Sequence, residues 1–527
     1  MWIRRLLTIS AVLWGGCAVE TASTPDPVGV TTAAIGDDDV NDWRGRKTNN
    51  KPFGKRKSDC EADPRVVLNI VPLEVCVGAD LFFREPFGGN GRACGTCHTA
   101  QFDFTISPEF VNSLAPDDPL FVAEFDPALT QLEIPELMRD LGLIVENVDG
   151  LEDPTVKFVM RSVPHTFSMA TSITPPPIVN PDGTATDGTT QPPIQRTGWS
   201  GDGAPAPGGL KQFQIGAITQ HYPRSLNRVA GVDFVLPTEE QLNDIEKFVL
   251  GVGRTRELVL TDVSLTDPRA EIGRTLFIGS RCNGCHANAG ANNGSGVNRN
   301  FDTGIETVRP NRLNTFMPII PFDGGFGTSP AFNHDANGDG VLDSRGNGTF
   351  NTPPLIEAAD TGPFFHNNAF STIEDAVRFY TTEAFANSVA GANNPVPFND
   401  VDIDNVGRFL RVLNASFNSQ IAIVRLQAVI RIAEAQKNHY KGLQAGLIDA
   451  AQAEVRDAIA VLDGPGINQD LVARLVVADL ALTEANANSS WNQRLSKAQA
   501  ALVEVQAANT GLGTGLNMDI GSASVMF

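Results

Sequence analysis

Two copies of one short pattern constrain this chain more than any other feature of its sequence. The copies are Cys94-Gly-Thr-Cys97-His98 and Cys282-Asn-Gly-Cys285-His286. Both follow the spacing C-x-x-C-H, in which two thiols can add to the vinyl groups of one haem and the adjacent histidine can bind its iron. Only 7 Cys and 7 His occur among 527 residues, so two chance matches are far less expected than one. The sequence therefore predicts two covalently attached haem c groups, with His98 and His286 as proximal ligands of the first and second iron.

A redox-active pair and half of a zinc site are the other interpretations of C-x-x-C. A four-cysteine zinc site would need its two pairs closer together in the chain than these motifs lie. Cys60 and Cys76 are separate from the motifs and predict a disulfide, which is typical of exported proteins. Closing this loop would contribute about 3 kcal/mol to stability. Two unpaired thiols are the alternative.

The first residues have the composition of a secretory signal peptide. Arg4 and Arg5 precede an apolar run, and Gly15-Gly16-Cys17 follows it. The run is too short to span a bilayer as a permanent helix, so residues 1–16 are predicted to be a signal peptide. The Gly-Gly-Cys end resembles a bacterial lipobox, which predicts lipidation of Cys17; cleavage without lipidation is the alternative. The expected location is the periplasm or the outer cell envelope, with membrane contact only through this N-terminal lipid anchor.

The charge balance excludes some classes of partner. With 61 acidic and 40 basic residues, the formal net charge is −21. A surface this acidic repels phosphate groups, so nucleic acid is not an expected partner and anionic lipid headgroups are a poor one.

Composition and helical periodicity divide the chain into successive parts. These are a signal peptide (1–16), a flexible tether (17–57), a first cytochrome c domain (58–252), a second cytochrome c domain (253–415), a helical bundle (416–508) and a loose tail (509–527). Each cytochrome domain closes with a predicted amphipathic helix, after Thr238 in the first and after Asp400 in the second, so the two look like a duplication. The predicted fold is mainly α: two c-type cytochrome domains with long loops, plus a C-terminal helical bundle.

A loop in the second domain resembles a calcium-binding loop over its first nine positions. Asp335, Asn337 and Asp339 stand where carboxylate and amide oxygens bind calcium. Gly346 replaces the glutamate that usually stands at position twelve. A calcium site and a solvated loop of Asx turns are both compatible with this pattern.

Further stretches around both motifs resemble one protein family. They are Leu81-Phe82-Phe83 and Arg161-Ser-Val-Pro164 in the first domain, and Gly273-Arg-Thr-Leu-Phe277 and Thr361-Gly-Pro363-Phe-Phe-His366 in the second. Together with the two motifs, they make residues 78–415 similar to the bacterial di-haem cytochrome c peroxidase and MauG superfamily. The resemblance implies two cytochrome c domains and does not extend to the 416–508 bundle.

In that family, the residue fourteen positions after the equivalent of His366 is the distal ligand of the second haem iron. It is Met in the peroxidases and Tyr in the MauG branch, and here it is Tyr380. Because a tyrosinate ligand favours ferric and higher oxidation states, the resemblance implies oxidative chemistry. An ordinary core tyrosine is the alternative. Other candidate ligands are Met317, His334 and His366.

At the first haem the sequence departs from the family. The peroxidases place a Gln and a catalytic Glu on the distal side, and these positions fall on Phe213 and Pro223. His221 and Tyr222 stand just before Pro223 and could supply acid–base function; a surface-loop histidine is the alternative for His221. The family also places an indole between the haems, which falls on Trp199 and would carry electrons.

The family also binds a calcium between its domains. Backbone oxygens at the positions of Thr361 and Pro363 would serve it, whereas the family's Asn ligand falls on Ser162. No family role carries over to His165, for which a buried core histidine is the simpler interpretation.

These observations predict a redox enzyme of the cytochrome c peroxidase or MauG type. The first haem would use H2O2, and the second haem would share the oxidising equivalents through Trp199. One alternative is a di-haem oxygenase of the rubber-oxygenase type, which activates O2 and cleaves an apolar substrate. The other is a non-catalytic di-haem electron carrier whose bundle docks a partner. The expected macromolecular partner is an electron-donor or substrate protein.

Overall fold

The structure of the protein is a computed structural model, which describes residues 48–147, 158–173, 195–201, 209–294, 296, 298–316, 320–326 and 345–527. Helices account for 54% of the structure and strands for 8%, which confirms the predicted mainly α fold. The described residues belong to one compact unit. Among the described helices, none combines the length and apolar character that a bilayer crossing requires.

Short helices separated by long loops surround the first motif. They are α1 (Phe53–Glu61), α2 (Pro64–Val67), α3 (Leu73–Arg84), α4 (Cys94–Cys97), α5 (Pro108–Ser113), α6 (Val122–Phe125), α7 (Pro135–Leu141), α8 (Met169–Ser172), α9 (Leu210–His221) and α10 (Glu239–Leu250). A small antiparallel sheet pairs β1 (Leu143–Glu146) with β2 (Val159–Ser162). The predicted capping box at the start of α10 is present, because Thr238 and Gln241 each bond the other's backbone N–H.

The part around the second motif is built in the same way. Its helices are α11 (Pro268–Gly279), α12 (Cys282–Cys285), α13 (Asn311–Thr315), α14 (Ile373–Phe379) and α15 (Glu383–Ala386). Its strands are β3 (Ser264–Leu265), β4 (Asn300–Asp302), β5 (Asp323–Gly325) and β6 (Arg345–Asn351). Strands β4, β6 and β5 form one sheet in that order, antiparallel in the first pair and parallel in the second.

Long helices form the C-terminal part. They are α16 (Asp400–Gln436), α17 (Lys441–Asp463), α18 (Gln469–Ala487) and α19 (Trp491–Leu512). Helix α16 packs on α17 and α19, and α18 packs on the same two helices. Since α16 packs on α11 near its start and continues into the bundle, the predicted boundary at 415/416 lies inside one continuous helix.

The same helix crossing occurs beside both motifs. Helix α3 crosses α10 at Gly78, where an added Cβ would lie 1.9 Å from the backbone oxygen of Asp244. Helix α11 crosses α16 at Gly273, where an added Cβ would lie 1.9 Å from the backbone oxygen of Asn405. Only glycine permits so close an approach of two backbones. The repeated crossing agrees with the duplication inferred from the sequence.

Part of the predicted tether is ordered, so its boundary at residue 57 was wrong. Arg56 is fully buried and forms ion pairs with Asp80 at 2.6 Å and Glu85 at 2.7 Å. Cys60 and Cys76 form the expected disulfide, which joins α1 to α3. A guanidinium held by two carboxylates beside a covalent crosslink cannot be part of a loose linker. The signal peptide, Cys17 and residues 17–47 lie outside the described residues.

The prediction of a loose tail at 509–527 was also wrong. Helix α19 continues to Leu512, and β7 (Gly513–Thr514) then pairs with β3. Phe527 is 6% exposed, and its ring packs edge-on against Phe104 with centroids 4.7 Å apart. Burial of an aromatic side chain outweighs the ordering cost of the glycine- and serine-rich residues before it.

Candidate functional site

The first motif forms a single helical turn that ends at its histidine. The backbone N–H of His98 donates to the carbonyl of Cys94 at 2.9 Å, and Thr96 Oγ1 accepts from the backbone of Ala93 at 2.9 Å. A Cβ at Gly95 would lie 2.5 Å from the Phe83 ring, so the turn packs directly on α3. This packing fixes the direction in which the two thiols and the imidazole leave the turn.

The imidazole of His98 is oriented by a backbone carbonyl. Its Nδ1 lies 3.0 Å from the carbonyl oxygen of Phe104, which can only accept, so Nδ1 carries the proton. The lone pair is then on Nε2, the nitrogen that a metal would bind. Burial lowers the pKa of His98 to about 4, which keeps the ring neutral at neutral pH.

The second motif repeats this geometry. The backbone N–H of His286 donates to the carbonyl of Cys282 at 2.8 Å, and its Nδ1 donates to the carbonyl of Pro353 at 3.0 Å. Burial again lowers the histidine pKa to about 4. Two separate turns therefore each carry two cysteines and one neutral imidazole whose proton is on Nδ1.

The thiols fit covalent haem attachment better than the other two interpretations of the motif. The four motif cysteines take part in no disulfide. Burial raises the pKa of Cys94 and of Cys285 to about 11, which disfavours thiol–disulfide exchange through a thiolate at neutral pH. Within the described residues, three or more His, Cys, Asp or Glu side chains nowhere converge as a metal site would require.

His221 and Tyr222 both lie beside the first motif. The hydroxyl of Tyr222 donates to Cys94 Sγ at 3.2 Å, and burial raises its pKa well above the usual value. Burial, assisted by Arg92, Arg228 and His98, lowers the pKa of His221 to about 3. Tyr222 is therefore a permanent proton donor at neutral pH, and His221 is a neutral and weakly basic imidazole.

Phe213 and Trp199 lie together at the other end of α9. A Cβ at Gly198 would lie 3.0 Å from the Phe213 ring, which places that ring against the turn that carries Trp199. The indole Nε1 donates to the carbonyl of Ser162 at 2.9 Å. Trp199 also packs against the aromatic cluster of Phe350, Phe379 and Phe385.

Tyr380 belongs to the same aromatic cluster and faces the second motif. It follows the last residue of α14, and its ring centroid lies 5.0 Å from that of Phe385. Burial raises the pKa of Tyr380, and the nearby Cys285 and Cys282 raise it further. The predicted second-haem ligand is thus close enough to both motif cysteines to interact with them electrostatically.

Of the rival ligands, only His366 lies in the described residues. Its ring stacks on Phe350 with centroids 4.1 Å apart, and burial lowers its pKa to about 4. It lines a small cavity with Arg309 and Asp323. Met317 and His334 lie outside the described residues.

The structure tests neither of the two calcium predictions. Asp335, Asn337 and Asp339 lie outside them. The hydroxyl of Ser162 donates to the carbonyl of Phe365 at 3.0 Å, and that of Thr361 donates to the carbonyl of Ala358 at 2.9 Å. Pro363 follows a cis peptide bond. Calcium binding by Thr361 and Pro363 stays a prediction.

No family model and no curated protein matches this chain. The function must therefore be inferred from the two motifs and the side chains around them.

Sequence reasoning missed the partners that hold each motif in place. One is the fully buried ion pair between Arg92 and Glu133, at 2.7 Å, which lies next to the first motif. Another is Phe527, which packs on the aromatic residues behind the first motif. Neither has a local sequence signature, because each contact joins residues far apart in the chain.

Proposed function

We propose that this chain is an exported di-haem c-type cytochrome and a redox enzyme of the cytochrome c peroxidase and MauG type. The observation that carries the proposal is the repeated motif geometry, in which a one-turn helix ends at a histidine whose Nδ1 is bonded to a backbone carbonyl. The repeated glycine crossing supports two cytochrome c domains around these motifs. The periplasm or outer cell envelope is the proposed location, and an electron-donor or substrate protein the proposed partner.

Cys94 and Cys97 would hold one haem c, and Cys282 and Cys285 the other. Bound there, haem c supplies an iron that changes oxidation state and reacts with H2O2. The carbonyls of Phe104 and Pro353 orient the two imidazoles and make them stronger donors through Nε2.

The two sites are equipped for different tasks. The Tyr222 hydroxyl donates to Cys94 Sγ beside the first motif, and by turning from Cys94 its proton could stabilise developing negative charge on an oxidant. Gln220 Nε2 lies 3.2 Å from His221 Nε2 and can only donate to it, so the His221 proton is on Nδ1. The second motif instead faces Tyr380, whose phenolate would favour the oxidised iron.

Trp199 lies where electrons could pass between the sites. Its ring packs in the same cluster as Tyr380, and α9, which ends at His221, contacts the turn that carries it. Aromatic side chains in contact shorten each step of an electron's path between two cofactors.

The second candidate function is non-catalytic electron transfer. His221 favours it, because it precedes Tyr222, which contacts Cys94, and its Nε2 could exchange the bond from Gln220 for the sixth coordination position of the iron. Such a site would not react with peroxide.

The deciding experiment compares wild type with Tyr380→Met. Haem content per chain is measured first, followed by EPR and optical spectra of the ferric protein before and after one equivalent of H2O2. We expect two haems, one high-spin and one low-spin, a peroxide-dependent spectral change, and loss of the low-spin signal in Tyr380→Met. Tyr440→Met is the matched control, because Tyr440 is 45% exposed in the bundle region and should leave both signals unchanged.

Other outcomes assign the chain differently. Two low-spin haems that do not respond to peroxide would establish the electron carrier. A stable O2 complex in the protein as isolated would establish the oxygenase. Protein from a host competent in haem attachment that contains no covalent haem would exclude all three.

A further inference from the structure

A buried network of charged side chains lies between the two motifs and has no part in the function proposed above. We define it as the bridge; it consists of Arg254, Glu257, Asn292 and Glu357. The Arg254 guanidinium is 0% exposed and lies 3.2 Å from Glu357 and 2.9 Å from Glu257. Asn292 Nδ2 donates to Glu257 at 3.2 Å.

One end of the bridge reaches the first motif. The backbone N–H of Arg254 donates to Ser168 Oγ at 3.1 Å, which ties the bridge to the residue after Phe167. The Phe167 ring packs against that of Phe104 with centroids 5.0 Å apart, and the carbonyl of Phe104 orients His98.

The other end reaches the second motif. A Cβ at Gly290, four residues after His286, would lie 2.6 Å from Glu257 Oε2. The N–H of Leu355 donates to the carbonyl of Ala289 at 2.9 Å. Glu357 therefore stands on the same short segment as Pro353, whose carbonyl orients His286.

The bridge is not explained by stability alone. Buried ion pairs cost desolvation energy that their attraction often does not recover, and apolar residues commonly replace them without loss. Here two carboxylates share one guanidinium. The Glu357 side chain is only 1% exposed, so solvent does not screen its charge. A fixed carboxylate in a low-dielectric interior acts strongly on any nearby group that changes charge.

We propose that the bridge is an electrostatic positioning element shared by both haem sites, in which the buried carboxylate of Glu357 favours the oxidised state of both irons. The proposal rests on the di-haem function above. Because Glu357 pairs with Arg254, and the two residues contact the segments that orient both motif histidines, one side chain should shift the reduction potential of two cofactors together.

The test is a potentiometric titration, followed optically, of wild type and Glu357→Gln. Removing one buried carboxylate makes the local charge more positive, so both haems should become easier to reduce. We expect the reduced-to-oxidised ratio at a fixed potential to rise about tenfold at each haem, which corresponds to about 59 mV for a one-electron couple.

The matched control is Glu133→Gln. Glu133 is also a buried carboxylate, at 3% exposure, paired with an arginine, but Arg92 stands two residues before Cys94 and has no contact of this kind with the second motif. We expect this substitution to shift the first haem and leave the second unchanged. Glu257→Gln is the reserve variant if Glu357→Gln does not fold, since the Glu257 side chain is 30% exposed.

The possible results separate the two proposals. A potential shift at only one haem in Glu357→Gln, or at neither, would overturn the shared bridge while two attached haems still support the di-haem function. If wild type carries no covalent haem, the di-haem function fails first. If wild type and Glu357→Gln then also have the same thermal stability, the bridge has neither a redox role nor a structural one.

Discussion

His98 and His286 obtain the same tautomer from two unrelated parts of the chain. Phe104 lies six residues after His98, whereas Pro353 lies far along the chain from His286. In both cases the partner is a carbonyl, which no side-chain substitution removes. The side chains around the motifs are therefore better targets for testing the site than the partners of the histidines.

Tyr222 offers such a test at the first motif. Tyr222→Phe removes the hydroxyl that donates to Cys94 Sγ and leaves the buried ring in place. We expect a loss of about 1 kcal/mol in the free energy of unfolding, measured by urea denaturation. Tyr440→Phe, at an exposed position, should change that free energy by less than about 0.5 kcal/mol. Equal values for the two variants would show that the hydroxyl contributes nothing.

At the scale of helices, two glycine crossings set the distance between the helix that precedes each motif and the helix that closes its domain. Gly78 lies against the backbone of Asp244, and Gly273 against that of Asn405. In each pair a phenylalanine, Phe248 or Phe409, packs beside the glycine. A close helix crossing leaves no room for a side chain, so both sites require the smallest residue.

Gly273→Ala and Gly78→Ala should therefore be strongly destabilising. Each new Cβ would need about 1 Å or more of backbone displacement, and we expect a loss of about 3 kcal/mol in the free energy of unfolding. Gly279→Ala is the control in the same helix as Gly273, because an added Cβ there has nothing within 4 Å. It should be neutral or slightly stabilising. Similar losses for Gly273→Ala and Gly279→Ala would mean that the crossing is not closely packed.

At the scale of the whole molecule, buried and half-buried carboxylates lie between the first motif's loop and the bundle. Asp103, Glu454 and Asp457 each interact electrostatically with Asp360 and with the guanidinium of Arg425. Arg425 lies 2.8 Å from Glu454, while Asn414 and Asn418 donate to Asp360. Burial raises the pKa of Asp360 to about 6 and that of Glu454 to about 7, although Arg425 acts to lower the latter.

These shifts predict that this carboxyl cluster contributes less to stability as the pH rises. A carboxyl whose pKa is raised by folding stabilises the fold below its unfolded pKa and loses that contribution as pH rises through the folded value. Because the buried histidines with lowered pKa act in the opposite direction, the test compares variants: we expect the melting temperature of wild type to fall relative to that of Glu454→Gln between pH 5 and pH 8. Glu484→Gln, at an exposed carboxylate, should keep the wild-type slope. An unchanged slope in Glu454→Gln would contradict the assignment.

Much of the candidate site follows from short stretches of sequence. The two C-x-x-C-H turns, the disulfide partners and the start of α10 were predictable, because each depends on residue types at fixed short spacing. The mainly α class followed from periodicity. Haem attachment, ligation by Tyr380 and the calcium sites stay predictions.

The incorrect predictions concern segments whose local composition suggests mobility but which tertiary contacts hold in place. Residues 48–57 and 509–527 are polar, glycine-rich or basic, and such composition usually indicates mobility. Tertiary contacts nevertheless hold both segments in place. Arg56 is buried between two carboxylates, and Phe527 packs into an aromatic core.

The sequence by itself determined the candidates for the chemistry, since thiols and imidazole at a fixed spacing act as a unit wherever the chain places them. Only the tertiary structure decided which carbonyl orients each histidine, that Tyr222 and Tyr380 stand at different motifs, and that Arg254 pairs with Glu357. The physical reason is the distance along the chain over which each effect operates. Residue spacing fixes geometry over a few residues, whereas burial and electrostatic fields depend on atoms that only folding brings together.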